Sequence, residues 1–336
     1  MPFCELARRP PYNIFTTMDP ELAAAIASSR ATGSGAQDPD YRNIPRSLRR
    51  GCYGSHTDYK VHEQTIPVDG GDIRVRCFIP AAGGESATYP VLLNIHGGGF
   101  CVGSIELDDY ILRQLCVKLE LTTVNVEYRL APEHPFPTPL NDCLAALKWT
   151  AENPSLLQAD LAKGFIVGGH SAGANISAVL AHIARDDPFF EGRRLTGQIL
   201  RDPSVCHPDA YPEHLRSEFR SMEENKDVPP VTRSIMEKLR RWHNAPPQDP
   251  RYSPLLYPSH SGLPRTYMQA MELDPLRDDA LVYAKVLREA GVDVKLDFYR
   301  GVSHGFHYNW PAIKASERVR ADFVAGIRWL LNREGK

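Results

Sequence analysis

The run Gly169-His170-Ser171-Ala172-Gly173 sets a serine between glycines placed two residues before and two residues after it. That G-x-S-x-G spacing has a physical use where a strand turns sharply into a helix. The turn thrusts the serine out of the backbone, and only residues without bulk fit where strand and helix approach each other. The flanking sequence suits such a turn: FIVGG (165–169) reads as a buried strand, and Ile176, Val179, Leu180 and Ile183 then recur at helical spacing. The chemistry would be nucleophilic attack by Ser171. Glycines needed for packing alone are the plainer reading.

A second run favours the chemical reading. His96-Gly97-Gly98-Gly99-Phe100 follows the apolar run VLLNI (91–95). Three glycines after a buried strand free backbone N–H groups to point into a cavity, as stabilising the oxyanion of a tetrahedral intermediate requires. A flexible glycine loop and a phosphate-binding loop are the alternatives. The latter is disfavoured because neither G-x-G-x-x-G nor G-x-x-x-x-G-K-[ST] is present.

A serine nucleophile needs a histidine base, and the base needs an orienting carboxylate. In the parallel-sheet topology built around such a turn, the chain order is Ser, then Asp or Glu, then His, which passes over His96 and His170. Of the later histidines, His182 falls in the helix after the serine, and His207, His214, His243 and His260 fall in a polar insertion. His304, in the loop GVSHGF after the run DVKLDFY, is the candidate base, with His307 its nearest competitor. The matching acid position is MELDPLRDD, where Asp274 follows an apolar run and precedes Pro275. Glu272 reads as a strand-edge residue, and Asp278 and Asp279 as N-terminal caps of the next helix.

These residues need a scaffold, and the 336-residue chain is long enough for one large domain or two. VLLNI, LTTVNVEY (121–128) and FIVGG are near-continuous apolar runs, as expected of parallel strands covered on both faces. DIRVRCFIP (72–80), RTYMQAM (265–271) and DVKLDFY (293–299) are further strands; 140–153, 278–291 and 312–333 read as helices. Strand–helix alternation of this kind predicts an α/β fold with an open parallel sheet. Residues 1–55 are irregular apart from one helix, with Asp19 as N-cap and Pro20 at its first position. Residues 204–264 are polar and Pro-rich and interrupt the alternation, which predicts an inserted lid between core segments 56–203 and 265–336.

Composition excludes several classes. The formal net charge of −2 leaves no electrostatic footprint for nucleic acid or an anionic membrane. No apolar run reaches the ~20 residues of a membrane span, and the first residues lack the apolar stretch of a secretory signal. The 7 cysteines are scattered without a C-x-x-C pair, which predicts reduced thiols and a cytoplasmic location rather than a disulfide framework or a zinc site.

Taken in order, HGGGF, YRLAPEHPFP (128–137), GHSAGAN, DPLRDD and SHGF resemble the motifs of the hormone-sensitive-lipase-like family of α/β-hydrolase esterases, over residues 60–335. The resemblance implies a mostly parallel eight-stranded sheet with helices on both faces. It also implies a helical cap formed by the N-terminal segment and the insertion after the sixth strand. It places the family's triad on Ser171, Asp274 and His304, and its oxyanion donors on the N–H groups of Gly98, Gly99 and Ala172, with Gly97 shaping the loop. No metal or organic cofactor is implied, and the family forms both monomers and dimers. Two positions depart from many members: His170 stands where an aspartate is common, and Ala174 where a glycine is common. His170 and VCHPDAYPE (205–213) are more similar to the fungal secondary-metabolism esterases of this family.

The expected reaction is hydrolysis of a small-molecule ester with a short or medium acyl group on a hydrophobic alcohol. Phe100 and Phe306 are expected to line the cleft, with core packing as the alternative for each, and His170 to form part of its wall. Tyr12, Phe15, Tyr41, Tyr211, Phe219 and Trp242 are further aromatic candidates from the two cap segments. Thioester or amide cleavage and elimination could run on the same groups. A purely ligand-binding role on this scaffold is disfavoured by the presence of both Asp274 and His304.

Overall fold

The computed structural model describes residues 18–31 and 57–332. Most of the expected N-terminal cap segment, with Tyr12, Phe15 and Tyr41, lies outside the described residues. In chain order the elements are α1 (Pro20–Ala31), β1 (Tyr59–Val68), β2 (Gly71–Pro80), β3 (Val91–Ile95), α2 (Asp109–Leu119), β4 (Thr122–Glu127), α3 (Thr138–Glu152), β5 (Phe165–His170) and α4 (Ala172–Asp186). They continue as β6 (Gly197–Arg201), α5 (Ser221–Glu224), α6 (Arg233–His243), β7 (Arg265–Met271), α7 (Arg277–Glu289), β8 (Val294–Tyr299), α8 (Phe306–Asn309) and α9 (Lys314–Leu330).

The strands form one eight-stranded sheet in the order β1-β2-β4-β3-β5-β6-β7-β8. β1 and β2 pair antiparallel, as do β2 and β4, and every pairing from β4 through β3 to β8 is parallel. All residues of β3, β5 and β6 are buried, which is why the first two read as unbroken apolar runs. Side chains alternate across the pleat. Leu93 and Ile95 pack with Leu147 of α3 and Val179 of α4, whereas Leu92 packs with Leu115 of α2 and Ile327 of α9 on the opposite face. The cap of α1 is as read: Asp19 Oδ1 accepts from the N–H groups of Glu21 (2.9 Å) and Leu22 (3.0 Å).

Strands β1 and β6 and helices α2 and α8 were not anticipated. β1 carries mostly exposed polar residues at the sheet edge, and β6 hides Gln198 and Arg201 in a five-residue strand whose sequence looks only half apolar. α2 follows the glycine loop directly, and its acidic start masks its apolar face.

Residues 204–264 add no strand, and polar side chains of the core hold them down. Asn175 Nδ2 donates to the carbonyls of Ser204 (2.8 Å) and Tyr252 (2.7 Å). Asp279 accepts from the Val205 N–H at 2.8 Å, and Asp278 from the Arg220 and Ser221 N–H groups, each at 2.7 Å. Asp278 and Asp279 were expected to cap α7. They cap the inserted chain instead, because burial in the first turn of α7 aims both at backbone donors of the insertion. No helix among the described residues is long and apolar enough to cross a membrane. Cys77, Cys101, Cys116, Cys143 and Cys206 are free and buried.

Candidate active site

Ser171 sits between β5 and α4 at φ 55° and ψ −116°, a conformation that costs a non-glycine residue energy and that the surrounding structure must impose. The constraint is visible at its neighbours. A β-carbon on Gly173 would lie 2.0 Å from the Ile95 carbonyl oxygen, and one on Gly169 would lie 2.5 Å from the Gly173 carbonyl carbon. The Ser171 N–H donates to the Arg201 carbonyl at 2.8 Å, tying the turn to the end of β6.

His304 and Asp274 arrive from loops that follow β8 and β7. His304 Nε2 lies 2.9 Å from Ser171 Oγ across 133 residues of chain, and His304 Nδ1 lies 2.7 Å from Asp274 Oδ2. The Leu276 N–H donates to Asp274 Oδ1 at 2.7 Å, so both carboxylate oxygens are occupied. Asn225 of the insertion donates to the carbonyls of Glu272 (3.0 Å) and Asp274 (2.9 Å), fixing the loop from outside. Glu272 accepts from the Gly301 N–H at 2.8 Å and so joins the two loops. Burial opposes a charge on His304, but the Asp274 carboxylate outweighs it, aided by Asp202, and the imidazole is pushed up to about 9. Burial likewise raises Asp274, against the pull of His304.

The glycine loop adopts backbone conformations that need glycine. Gly98 is at φ 124° and Gly99 at φ 58°, and a β-carbon on Gly98 would lie 2.0 Å from the Val102 carbonyl oxygen. That carbonyl approach folds the loop back on itself, with the N–H groups of Cys101 and Val102 both donating to the Gly98 carbonyl. Tyr128 donates to the His96 carbonyl at 3.0 Å and stacks on the His96 ring at 4.3 Å. The N–H of Ala172 opens α4, where the first turn of a helix has no internal acceptor. Among the described residues no backbone acceptor takes the N–H of Gly98, Gly99 or Ala172.

Ser171, Ala172, His304 and the three glycines of the loop border a cavity of about 250 Å³. Its polar lining includes Ser171 and His304. Its apolar lining includes Val231, Ile235, Met236, Leu239 and Tyr252 of the insertion, with Leu276. Phe100 lines the cavity and stacks on His243 at 3.9 Å. His243 is thereby kept from water, and its pKa falls to about 4.

Three expectations about the pocket are corrected. Phe306 is fully buried in a cluster with Leu22, Met271 and Val302 and does not reach the cavity, because the short helix α8 turns its first side chain toward the core. Tyr211 and Phe219 stack on each other at 3.9 Å away from the cavity. Trp242 is exposed, with Lys238 Nζ 4.9 Å from its ring centroid. α6 turns Ile235, Met236, Leu239 and Arg240 toward the cavity, and Tyr252 is the aromatic side chain of the insertion that lines it.

His170 does line the cavity, but its ring pairs with Asp202, and the Ser171 hydroxyl bonds to His304 instead. Its Nε2 lies 3.2 Å from Asp202 Oδ2, and its ring centroid is 5.1 Å from that of His304. Burial, then the neighbouring His304 and Arg201, hold His170 well below the usual imidazole range, so it is neutral. His307 is also buried and held neutral by the same kind of burial, and neither of its ring nitrogens has a hydrogen-bond partner among the described residues. Sequence reading missed Asp202 entirely. Its only signal was an aspartate before proline at the end of an unrecognised strand.

Comparison with known proteins agrees with this architecture. Residues 92–308 match the α/β hydrolase fold family. The chain is 34% identical to an AB hydrolase superfamily protein of Schizosaccharomyces pombe, over 95% of each chain. It is 33% identical to a versiconal hemiacetal acetate esterase of Dothistroma septosporum, covering 80% of this chain and 82% of that one. Among solved structures, vibralactone cyclase overlays with a TM-score of 0.84 at 36% identity, covering 98% of this chain and 93% of that one. With the serine turn, the glycine loop and the eight-stranded sheet in place, the chain belongs to the α/β-hydrolase family, in its hormone-sensitive-lipase-like branch of carboxylic ester hydrolases.

Proposed function

We propose that the chain is a serine carboxylesterase that cleaves short- to medium-chain acyl esters of hydrophobic small molecules through an acyl-enzyme on Ser171. The observation that carries this reading is the hydrogen-bonded line from Ser171 Oγ to His304 Nε2 (2.9 Å) and from His304 Nδ1 to Asp274 Oδ2 (2.7 Å), opening on a largely apolar cavity. Ser171 Oγ attacks the ester carbonyl as His304 Nε2 takes its proton, and Asp274 holds the imidazole in the required tautomer and balances its charge. The N–H groups of Gly98, Gly99 and Ala172 receive the oxyanion. Collapse expels the alcohol, which takes the proton from His304. Water then attacks the acyl-enzyme, gives a proton to His304, and releases the acid and free Ser171.

The residues of 204–264 that border the cavity act as the cap that shapes the substrate site, and Phe100 and His170 form part of its wall. Hydrolysis of p-nitrophenyl acyl esters by wild type and Ser171→Ala tests the assignment. The variant loses roughly 10⁵-fold or more in turnover while keeping its fold; near-normal turnover would overturn it.

A second reading is favoured by one observation, the overlay on a structure named as a cyclase. On the same acyl-enzyme, a hydroxyl within the acyl group can attack in place of water and close a lactone ring. Mass analysis of products from hydroxy-acyl esters separates the two outcomes: ring closure yields a lactone, hydrolysis the free hydroxy acid.

A further inference from the structure

Asp202 stands one residue beyond β6, at φ 47°, with its side chain sealed from solvent. Its Oδ2 accepts from the Gly305 N–H at 3.0 Å and lies 3.2 Å from His170 Nε2, while Oδ1 has no hydrogen-bond partner among the described residues. Gly305 follows the base, and His170 precedes the nucleophile. One carboxylate therefore touches the neighbours of both reacting residues. It is also close to the base itself: one ligating atom from each of Asp202, Asp274 and His304 lie within 4.8 Å of one another.

We propose that Asp202 is a second carboxylate working on His304, a positioning residue that holds the base against Ser171 through Gly305 and His170, and that supplies the orienting carboxylate when Asp274 is absent. The proposal rests on the serine-esterase reading of the site.

Charge and geometry support it together. A buried carboxylate with a vacant oxygen is unfavourable unless a cation faces it. His304 becomes that cation each time it takes the serine proton. The groups around the base come from several elements: Asp274 from the loop after β7, Asp202 from the loop after β6, and His170 from the end of β5. Arg201 and His307 lie nearby, and Asp108 acts on His170. His170 cannot cancel the charge of Asp202, because burial and the cationic neighbours keep it neutral; it offers only an N–H donor. Burial opposes the Asp202 charge and Arg201 shares it, but of the cations acting on it His304 is the stronger, and Asp202 adds to the upward push that Asp274 exerts on His304. Oδ1, free of other bonds, is the atom able to turn to Nδ1 once Asp274 is removed.

The test compares kcat/KM on a p-nitrophenyl ester from pH 5 to 10 for wild type, Asp202→Asn, Asp274→Ala, the double variant and Ser171→Ala. Removing the sole acid of a triad costs about 10⁴-fold. Asp274→Ala is expected to lose only about 10²-fold, and the double variant about 10⁴-fold. Asp202→Asn alone is expected to move the rising limb of the profile down by about one pH unit with KM unchanged, which a loss of packing would not do. Asp274→Ala falling as far as the double variant overturns the proposal. Should the Asp202 variants fail to fold, Asp274→Ala still decides: a loss near 10²-fold supports the proposal and one near 10⁴-fold overturns it. Ser171→Ala retaining activity would overturn the esterase reading instead, whatever Asp202 does.

Discussion

Leu239 of α6 packs directly over Gly99 of the glycine loop, so closely that a β-carbon at Gly99 would lie 2.5 Å from Leu239 Cδ1. A residue of the insertion thus sits on the backbone proposed to receive the oxyanion, 140 positions away in sequence. The insertion and the glycine loop must be folded together for either to be in place.

Gly99→Ala meets two obstacles, the Leu239 contact and a φ of 58°. Displacing an oxyanion donor costs about 10²–10³-fold in kcat, and that is the expected loss. Adding Leu239→Ala removes the side-chain clash but not the backbone strain. The double variant should therefore recover part of the kcat, as steady-state kinetics would show. No recovery would place the defect in the backbone alone.

Ser171 offers a direct test of stored strain. At φ 55° and ψ −116°, glycine is at ease and alanine is not. Both Ser171→Gly and Ser171→Ala should be inactive, but the glycine variant should be the more stable by about 1 kcal/mol. Thermal or denaturant unfolding of the two variants measures the difference; equal stability would show that the turn is unstrained.

The pH profile follows from His304. Only the neutral imidazole can take the serine proton, and the group is pushed from 6.5 up to about 9. kcat/KM should therefore rise with pH through the neutral range, reach half its limit near pH 9 and level off only above that. The stability contribution runs the opposite way. A raised histidine pKa stabilises the fold fully below about 6.5, and that contribution is lost as pH rises through about 9. A kcat/KM profile already flat at pH 6 would contradict this placement of the base.

Asn225 carries a buried tether, with its amide donating to the carbonyls of both Glu272 and Asp274. Asn225→Ala removes two hydrogen bonds from carbonyls that keep, among the described residues, only their contacts to Arg277, a cost of about 1–2 kcal/mol. Loosening the Asp274 loop should also lower kcat more than it raises KM. A melting curve and a Michaelis–Menten series measure the two effects separately.

Cavity size bears on acyl length. A space of about 250 Å³ bounded by Ile235, Met236 and Leu239 suits short and medium acyl groups. Activity across a p-nitrophenyl acyl series should peak below twelve carbons. Leu239→Ala should shift the peak to longer chains; a peak at twelve or more in wild type would contradict the proposed substrate class.

Much of this molecule was legible in its linear order. Ser171, the glycine loop, Asp274 and His304 each follow an apolar strand, and at strand ends the demands are local: small residues for a sharp turn, a free backbone after three glycines, a loop residue next to a proline. VLLNI and RTYMQAM could be read to the residue because most of their positions are apolar or aromatic, as a strand buried on both faces requires. β6 could not, since Gln198 and Arg201 are buried by partners contributed from elsewhere, such as Thr266 and Tyr308. Asp202 was lost with it.

What tertiary structure alone decided was the direction in which side chains point. Phe100 and Phe306 stand in equivalent places, each just after a candidate functional loop, yet one lines the cavity and the other fills the core. No local pattern separates them, because the outcome depends on how α6 and α8 pack against loops far away in sequence. The sequence by itself determined which groups could do acyl transfer. Packing decided which wall they face, and it set Asp202 beside a base that lies 102 residues further along the chain.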